Sequence, residues 1–233
     1  MATLTQTQNA TFAISETQPN GIQQIGGVSG ILAGITFIFG FAMFVTVFEP
    51  LASGTLTPAE TVEFLRDNQS LFYIWNLVIY VFFGLVQAGL SLALFDRLKA
   101  ARPAMAQMAL TLGLIWSGLV IASGMIANVG ASSVVELYTV NAMQASTIWS
   151  AIDAVYKGLG GGNEIVGGLW VALISWIGFR GKLPKALNIF GMIVGLAGVV
   201  TLVPMLSEVG AVFGLGIIVW YIWVGITLLR NQN

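Results

Sequence analysis

Charged positions fall almost entirely outside six long stretches of this chain. No Asp, Glu, Lys or Arg occurs in 17–48, 68–95, 103–135, 186–207 or 209–229, and Glu164 alone interrupts 158–179. A charge at the centre of a bilayer costs about 2.5–3.5 kcal/mol even on lenient insertion scales, so gaps of this length read as hydrocarbon-facing. The pattern predicts an all-α, polytopic bundle of six transmembrane helices. The expected spans are about 27–48, 70–95, 103–128, 164–180, 184–204 and 207–229. The fourth, 164–180, sits at the lower limit of roughly 17 residues for crossing a membrane.

Between the third and fourth spans the pattern changes. Val134, Tyr138, Ala142, Ala145, Trp149, Ile152 and Tyr156 recur every three or four residues, which is one stripe on a helix. Glu136, Thr139, Gln144, Thr147, Ser150, Asp153 and Lys157 lie off the stripe. Ser133 followed by Glu136 reads as a capping box. The expectation is an amphipathic helix over about 133–157 lying on the bundle or the membrane surface. Thr57-Pro58-Ala59-Glu60 carries a second helix start, with Thr57 as cap and Glu60 reaching back to it. Residues 1–26 read as a flexible polar tail, rich in Thr, Gln and Asn and without the basic start of a signal peptide. Residues 27–230 then form one domain. Asn9-Ala10-Thr11 and Asn68-Gln69-Ser70 match the glycosylation acceptor pattern, which is short enough for chance to explain both.

Composition agrees with a membrane domain: 57% of residues are hydrophobic and only 8% charged, against about 25% in an average soluble domain. There is neither Cys nor His, which removes thiolate nucleophiles, imidazole bases and the ligands zinc and copper prefer. No metal site, no cofactor and no catalytic residue is expected. Nine basic residues spread over loops make no stripe for nucleic acid. With six spans, Arg97, Lys99, Arg102, Arg180, Lys182, Lys185 and Arg230 fall on one side and only Arg66 and Lys157 on the other. The positive-inside rule then places the protein in the cell membrane with both termini cytoplasmic.

Small and polar residues on spanning helices should face other helices. Asn76, Tyr80, Gly84, Gln87 and Ser91 share one face of the second span, and Gly113, Ser117, Gly124 and Asn128 one face of the third. Gly30-xxx-Gly34, Gly191-xxx-Gly195 and Gly210-xxx-Gly214 read as close helix contacts. Asn76 and Gln87 need hydrogen-bond partners in hydrocarbon, either across helices or in a ligand cavity. Trp75 and Trp170 are expected near the outer interface and Trp176 near the inner one, with Trp116, Trp220 and Trp223 deeper between helices.

The densest local signature is Gly160 to Trp170, which sets Asn163 and Glu164 between two glycine clusters at the entrance of the shortest span. Short, glycine-interrupted spans mark binding sites in transporters, and Glu164 is the one acid at membrane depth there. The alternative is an anion favouring a helix N-terminus while staying wet. The run Gly-Gly-Asn-Glu-x-x-Gly-Gly-Leu-Trp over 161–170 is followed by Ser175, Arg180, Leu183-Pro184-x-x-Leu187-Asn188, Gly191, Gly195, Gly198, Thr201 and Pro204. In these residues the chain resembles a family of bacterial multi-span membrane proteins catalogued only as a domain of unknown function. The likeness covers about 25–229. It implies an integral membrane protein of about six helices and carries over no activity and no catalytic residues.

Three functions fit these observations. The first is a non-enzymatic membrane protein that binds a membrane partner protein or a neutral, apolar ligand such as a lipid. The second is a small transporter or facilitator for a neutral solute, with Glu164 at the solute entrance; whichever of these two holds, the candidate ligand-binding or gating residues are Glu164, Asn163, Asn76, Gln87, Asp153 and Trp170. The third is an intramembrane enzyme using Glu164 and Asp153 as an acid–base pair.

Overall fold

In the computed structural model, residues 19–161 and 165–230 are described. Among them every regular element is a helix. The first, α1, covers Pro19–Thr46. A single turn, α2 (Glu49–Ala52), and a short helix, α3 (Pro58–Asp67), follow. Then come α4 (Gln69–Leu98) and α5 (Pro103–Tyr138). After these, α6 covers Ala142–Tyr156, α7 Ile165–Gly178, α8 Lys185–Val200 and α9 Gly210–Arg230. Four of these, α1, α4, α5 and α9, are long and apolar enough to cross a membrane, which is consistent with a membrane protein. With 14 and 16 residues, α7 and α8 are shorter.

The helices pack as a ring. The first, α1, lies between α9 and α4; α5 follows α4; α7 follows α5; α8 sits between α7 and α9 and closes the circle. A core runs through the ring, with Trp170, Trp220, Tyr221, Phe213 and Ile174 fully buried. Glycine permits close backbone contact: a β-carbon on Gly168 of α7 would lie 2.6 Å from the Gly195 carbonyl oxygen of α8. Arg97, Lys99 and Arg102 stand where α4 turns into α5, and Arg180, Lys182 and Lys185 where α7 turns into α8. Arg230 ends α9, so all seven gather at one end of the ring. Arg102 lies 4.6 Å above the ring of Trp176 there.

A second core caps the opposite end. Phe48, Val62, Leu65, Phe72, Ala131, Val134, Ala145 and Trp149 pack together where α3 and α6 cover the ends of α1, α4 and α5. The start of α3 is the expected capping box: Thr57 Oγ1 accepts from the Glu60 amide at 3.3 Å, and Glu60 Oε2 accepts from the Thr57 amide at 2.8 Å. Two hydrogen bonds to that carboxylate hold Glu60 below the usual glutamate range.

Several boundaries differ from the sequence reading. Helix α1 is already formed at Pro19, inside the stretch 1–26 read as tail. Helix α5 does not stop near Asn128; it runs on to Tyr138, so the amphipathic helix begins at Ala142 and not at Ser133. Nothing between Asn128 and Tyr138 forces a break, and Ala131 and Val134 gain burial in the cap by staying helical. Ser133 Oγ donates back to the Val129 carbonyl at 3.0 Å, and the true cap is Asn141, whose Oδ1 accepts from the Gln144 amide at 3.0 Å. The apolar stripe from Val134 to Tyr156 nevertheless packs into one core, split over two helices. Two tryptophans are also placed differently. Trp170, expected at an interface, is buried in the middle of the ring, and Trp223, expected between helices, is 36% exposed.

Candidate functional site

Helices α1 and α9 touch along only half their length. At the basic end they meet backbone to backbone: a β-carbon on Gly30 would fall 2.9 Å from the Gly225 α-carbon, and one on Gly225 would fall 2.7 Å from the Gly27 carbonyl oxygen. Further along, Gly34 faces the Ile222 side chain. Beyond that the two helices part. A β-carbon on Gly214 of α9 would meet nothing within 4 Å. The Gly210-xxx-Gly214 pair, read from sequence as a close helix contact, instead borders open space. Gly30-xxx-Gly34 and Gly191-xxx-Gly195 do mark close contacts.

The space is a cleft of about 480 Å³. One wall is α1, through Thr36, Phe37, Gly40, Phe41 and Phe44. The opposite wall is α9, through Gly210, Ala211, Gly214, Leu215 and Ile218. Trp75, Ile79, Tyr80 and Phe83 of α4, with Trp116 and Val120 of α5, close the back. Among the described residues, no charged side chain lines it. Thr36 Oγ1 donates to the Ala33 carbonyl at 2.7 Å and Trp75 Nε1 to the Gly40 carbonyl at 3.3 Å, so both are already engaged. The rings form a continuous aromatic surface: Phe37 and Phe83 meet edge to face at 5.2 Å, and Phe83 meets Trp116 at 5.4 Å.

Two backbone irregularities border this cleft. Over Leu77–Phe82 the α4 helix widens to a π-helix, and Ile79 and Tyr80 from that stretch face the cleft. The chain leaves α6 through a kink over Lys157–Gly161, and Gly160 within it lines the cleft rim. Gly160 has φ +153°, a conformation that side-chain-bearing residues rarely adopt. A widened turn such as that of Leu77–Phe82 in α4 occurs frequently at functional sites. Next to the Lys157–Gly161 kink, burial first and then nearby Tyr80 and Asp153 push the Tyr156 phenol well above its ordinary value, keeping it neutral.

The residues singled out from sequence do not gather in the cleft. Gln87 lies fully buried beside its floor, where its Oε1 accepts from Tyr221 Oη at 2.7 Å and its Nε2 donates to Ser91 Oγ at 3.3 Å. Tyr221 is in turn 5.9 Å from Phe83. Asn76 Nδ2 donates to Asn128 Oδ1 at 3.0 Å, and Asn128 Nδ2 donates to the Tyr73 carbonyl at 3.2 Å, so these amides tie α4 to α5. Trp170 stands between Trp116 at 5.9 Å and Trp220 at 5.5 Å, one ring removed from the cleft. Asp153 pairs with Lys157 at 2.7 Å on the surface of α6. Asn163 and Glu164 lie outside the described residues, which resume at Ile165. The described chain before them ends at the cleft rim, Gly160–Gly161.

Sequence reasoning missed Phe37, Gly40, Ile79 and Phe83, and it read Gly214 as a close contact instead of a gap. These are apolar residues on helices that are apolar all round, so no periodicity separates a cleft-facing position from a lipid-facing one. Trp75, Tyr80, Trp116 and Gly160 of the lining do stand out in the sequence, though none of them reads there as a cleft wall.

Nothing among curated proteins and nothing among solved structures matches this chain. A family model does, over residues 26–231, which takes in the ring apart from the first turns of α1, the cap and the cleft. The chain therefore belongs to the family described as Domain of unknown function (DUF4386).

Proposed function

We propose that this protein is a six-span integral membrane protein of the cell membrane, with both termini cytoplasmic, that binds a neutral, apolar ligand in the cleft between α1 and α9. The observation that carries the reading is the cleft itself: about 480 Å³, walled by aromatic and aliphatic side chains, with no charged side chain among the described lining residues. That volume lies within the range of small-molecule sites, roughly 300–1,000 Å³. Counting α7 and α8 as spans rests on their place in the ring and on their outward residues, Leu169, Trp176, Ile189, Ile193 and Leu196, all apolar and exposed. At 1.5 Å per residue they reach about 21 and 24 Å, short enough that the bilayer thins to meet them. The seven basic residues at one end support the cytoplasmic placement of that end.

A facilitator for a neutral solute stands second. It drew on Asn76 and Gln87 as pathway residues, and both amides are engaged across helices. An acid–base pair of Glu164 and Asp153 stands third, since Asp153 is already held by Lys157. Gly214→Phe tests the leading reading, because it fills the cleft without striking a neighbour, and Gly118→Phe is its control on the outward face of α5, where a β-carbon also meets nothing. Binding of the uncharged fluorophore prodan to the purified protein, read by energy transfer from tryptophan, should weaken about tenfold or more in Gly214→Phe and stay unchanged in Gly118→Phe. Equal binding by both variants and the parent would overturn the cleft as a ligand site.

A further inference from the structure

The cleft is open sideways, and its opening decides what can reach it. Its walls are the cap-side halves of α1 and α9, whose closest backbone contacts, at Gly27, Gly30 and Gly225, lie toward the basic end. The rim residues Phe41, Phe44 and Leu215 are 51%, 41% and 53% exposed. They continue without a polar break into the outward apolar surface of the same helices, Ile38 and Val45 on α1 and Val212 and Val219 on α9. A molecule arriving from water would have to cross that apolar rim, whereas one dissolved in hydrocarbon meets no barrier. At the inner end the cleft reaches Phe83 and Trp116, which are 2% and 4% exposed, so an occupant leaves the surrounding lipid and enters the ring. The lining among the described residues carries no charge, which accepts hydrocarbon and disfavours a phosphate or carboxylate, so that group stays outside at the cap.

We infer that the ligand of this site is the hydrocarbon chain of a lipid from the cap-side half of the bilayer, which inserts laterally between α1 and α9 while its polar head remains outside the cleft. The inference rests on the membrane and apolar-ligand reading proposed above. The π-helical stretch of α4 widens the back wall at Ile79 and Tyr80, and the Gly214 gap removes side-chain bulk on the opposite side. Together they make room for a chain where two straight, fully substituted helices would close on each other.

The full-length protein, reconstituted in phosphatidylcholine vesicles doped with a phosphatidylcholine bearing a diazirine midway along one acyl chain, provides the test. After photolysis, adducts are mapped by mass spectrometry. Adducts on Phe83 or Trp116 are expected in the parent and in Gly118→Phe, with a drop of about tenfold in Gly214→Phe. Should Gly214→Phe fail to fold, Ala211→Phe at the exposed mouth of the cleft gives the same comparison. Adducts confined to outward residues such as Ile115 and Val219, equal in every variant, overturn lipid entry. If prodan binding is still lost in Gly214→Phe in that case, the cleft remains a ligand site with a different occupant. If both signals are indifferent to the substitution, the lipid and the ligand reading fall together.

Discussion

Gly30 of α1 and Gly225 of α9 meet with no side chain between them: a β-carbon on Gly30 would sit 2.9 Å from the Gly225 α-carbon and 3.0 Å from the Tyr221 carbonyl oxygen. This contact fixes where the two helices join and therefore where they can part. The cleft exists because the crossing is tight at one end and Gly214 leaves the other end unfilled.

Substituting Gly30 forces backbone to move. Gly30→Val should lower stability by about 1–3 kcal/mol, the usual cost of overpacking, and change the shape of the cleft as α1 tilts. Gly34→Ala should cost less, because its β-carbon meets the Ile222 side chain, which can rotate. Thermal melts of both variants in one detergent check this. A Gly34→Ala cost equal to or above that of Gly30→Val would contradict the geometry.

The Tyr221–Gln87 hydrogen bond joins α9 to α4 at 2.7 Å in a fully buried setting. Tyr221→Phe leaves Gln87 Oε1 without that donor and should cost about 1–3 kcal/mol. Gln87→Leu combined with Tyr221→Phe should cost less than the two single changes added together, since the second removes the group the first stranded. Strict additivity in the double-mutant cycle would show that the pair does not interact.

Two buried hydroxyls of the ring should respond in opposite ways. Ser91 Oγ donates to the Gln87 carbonyl at 2.8 Å and accepts from the Gln87 amide, so Ser91→Ala should lower the melting temperature. Ser175 Oγ is buried without a hydrogen-bond partner among the described residues. Ser175→Ala removes a desolvated polar group and should leave stability unchanged or raise it by about 1 kcal/mol. A drop as large as that of Ser91→Ala would mean that Ser175 is satisfied by bound water.

Acid should loosen the start of α3. Because hydrogen bonds from Thr57 hold the Glu60 carboxyl below its ordinary value, the folded state favours the charged form. The capping contribution is therefore complete above the ordinary glutamate range and disappears as pH falls through the depressed value of Glu60. NMR titration of the Glu60 side chain in the parent and in Thr57→Ala measures it. The midpoint should rise in Thr57→Ala, and an unchanged midpoint would remove Thr57 as the cause.

The helical class, the four long apolar helices and the α3 capping box were legible because each rests on local composition or spacing. The stripe from Val134 to Tyr156 was legible as well, even though Thr139 to Asn141 divide it between two helices. Its division was not, because whether a helix continues past Asn128 depends on what Ala131 and Val134 can bury against, and that partner, Trp149, comes from further along the chain. The amides showed the same limit. Asn76 and Gln87 announced a need for partners, but Asn128 and Tyr221 are 52 and 134 residues away.

From its letters alone this chain is determined to be a helical protein whose charges avoid long apolar stretches, because the cost of a charge in hydrocarbon acts on each residue wherever it later packs. Only the tertiary structure decided that Gly30 closes a crossing while Gly214 opens a cleft, since identical glycines on equally apolar helices differ solely in what stands opposite them. Packing pairs surfaces distant in sequence, and no period along one helix records the shape of its neighbour.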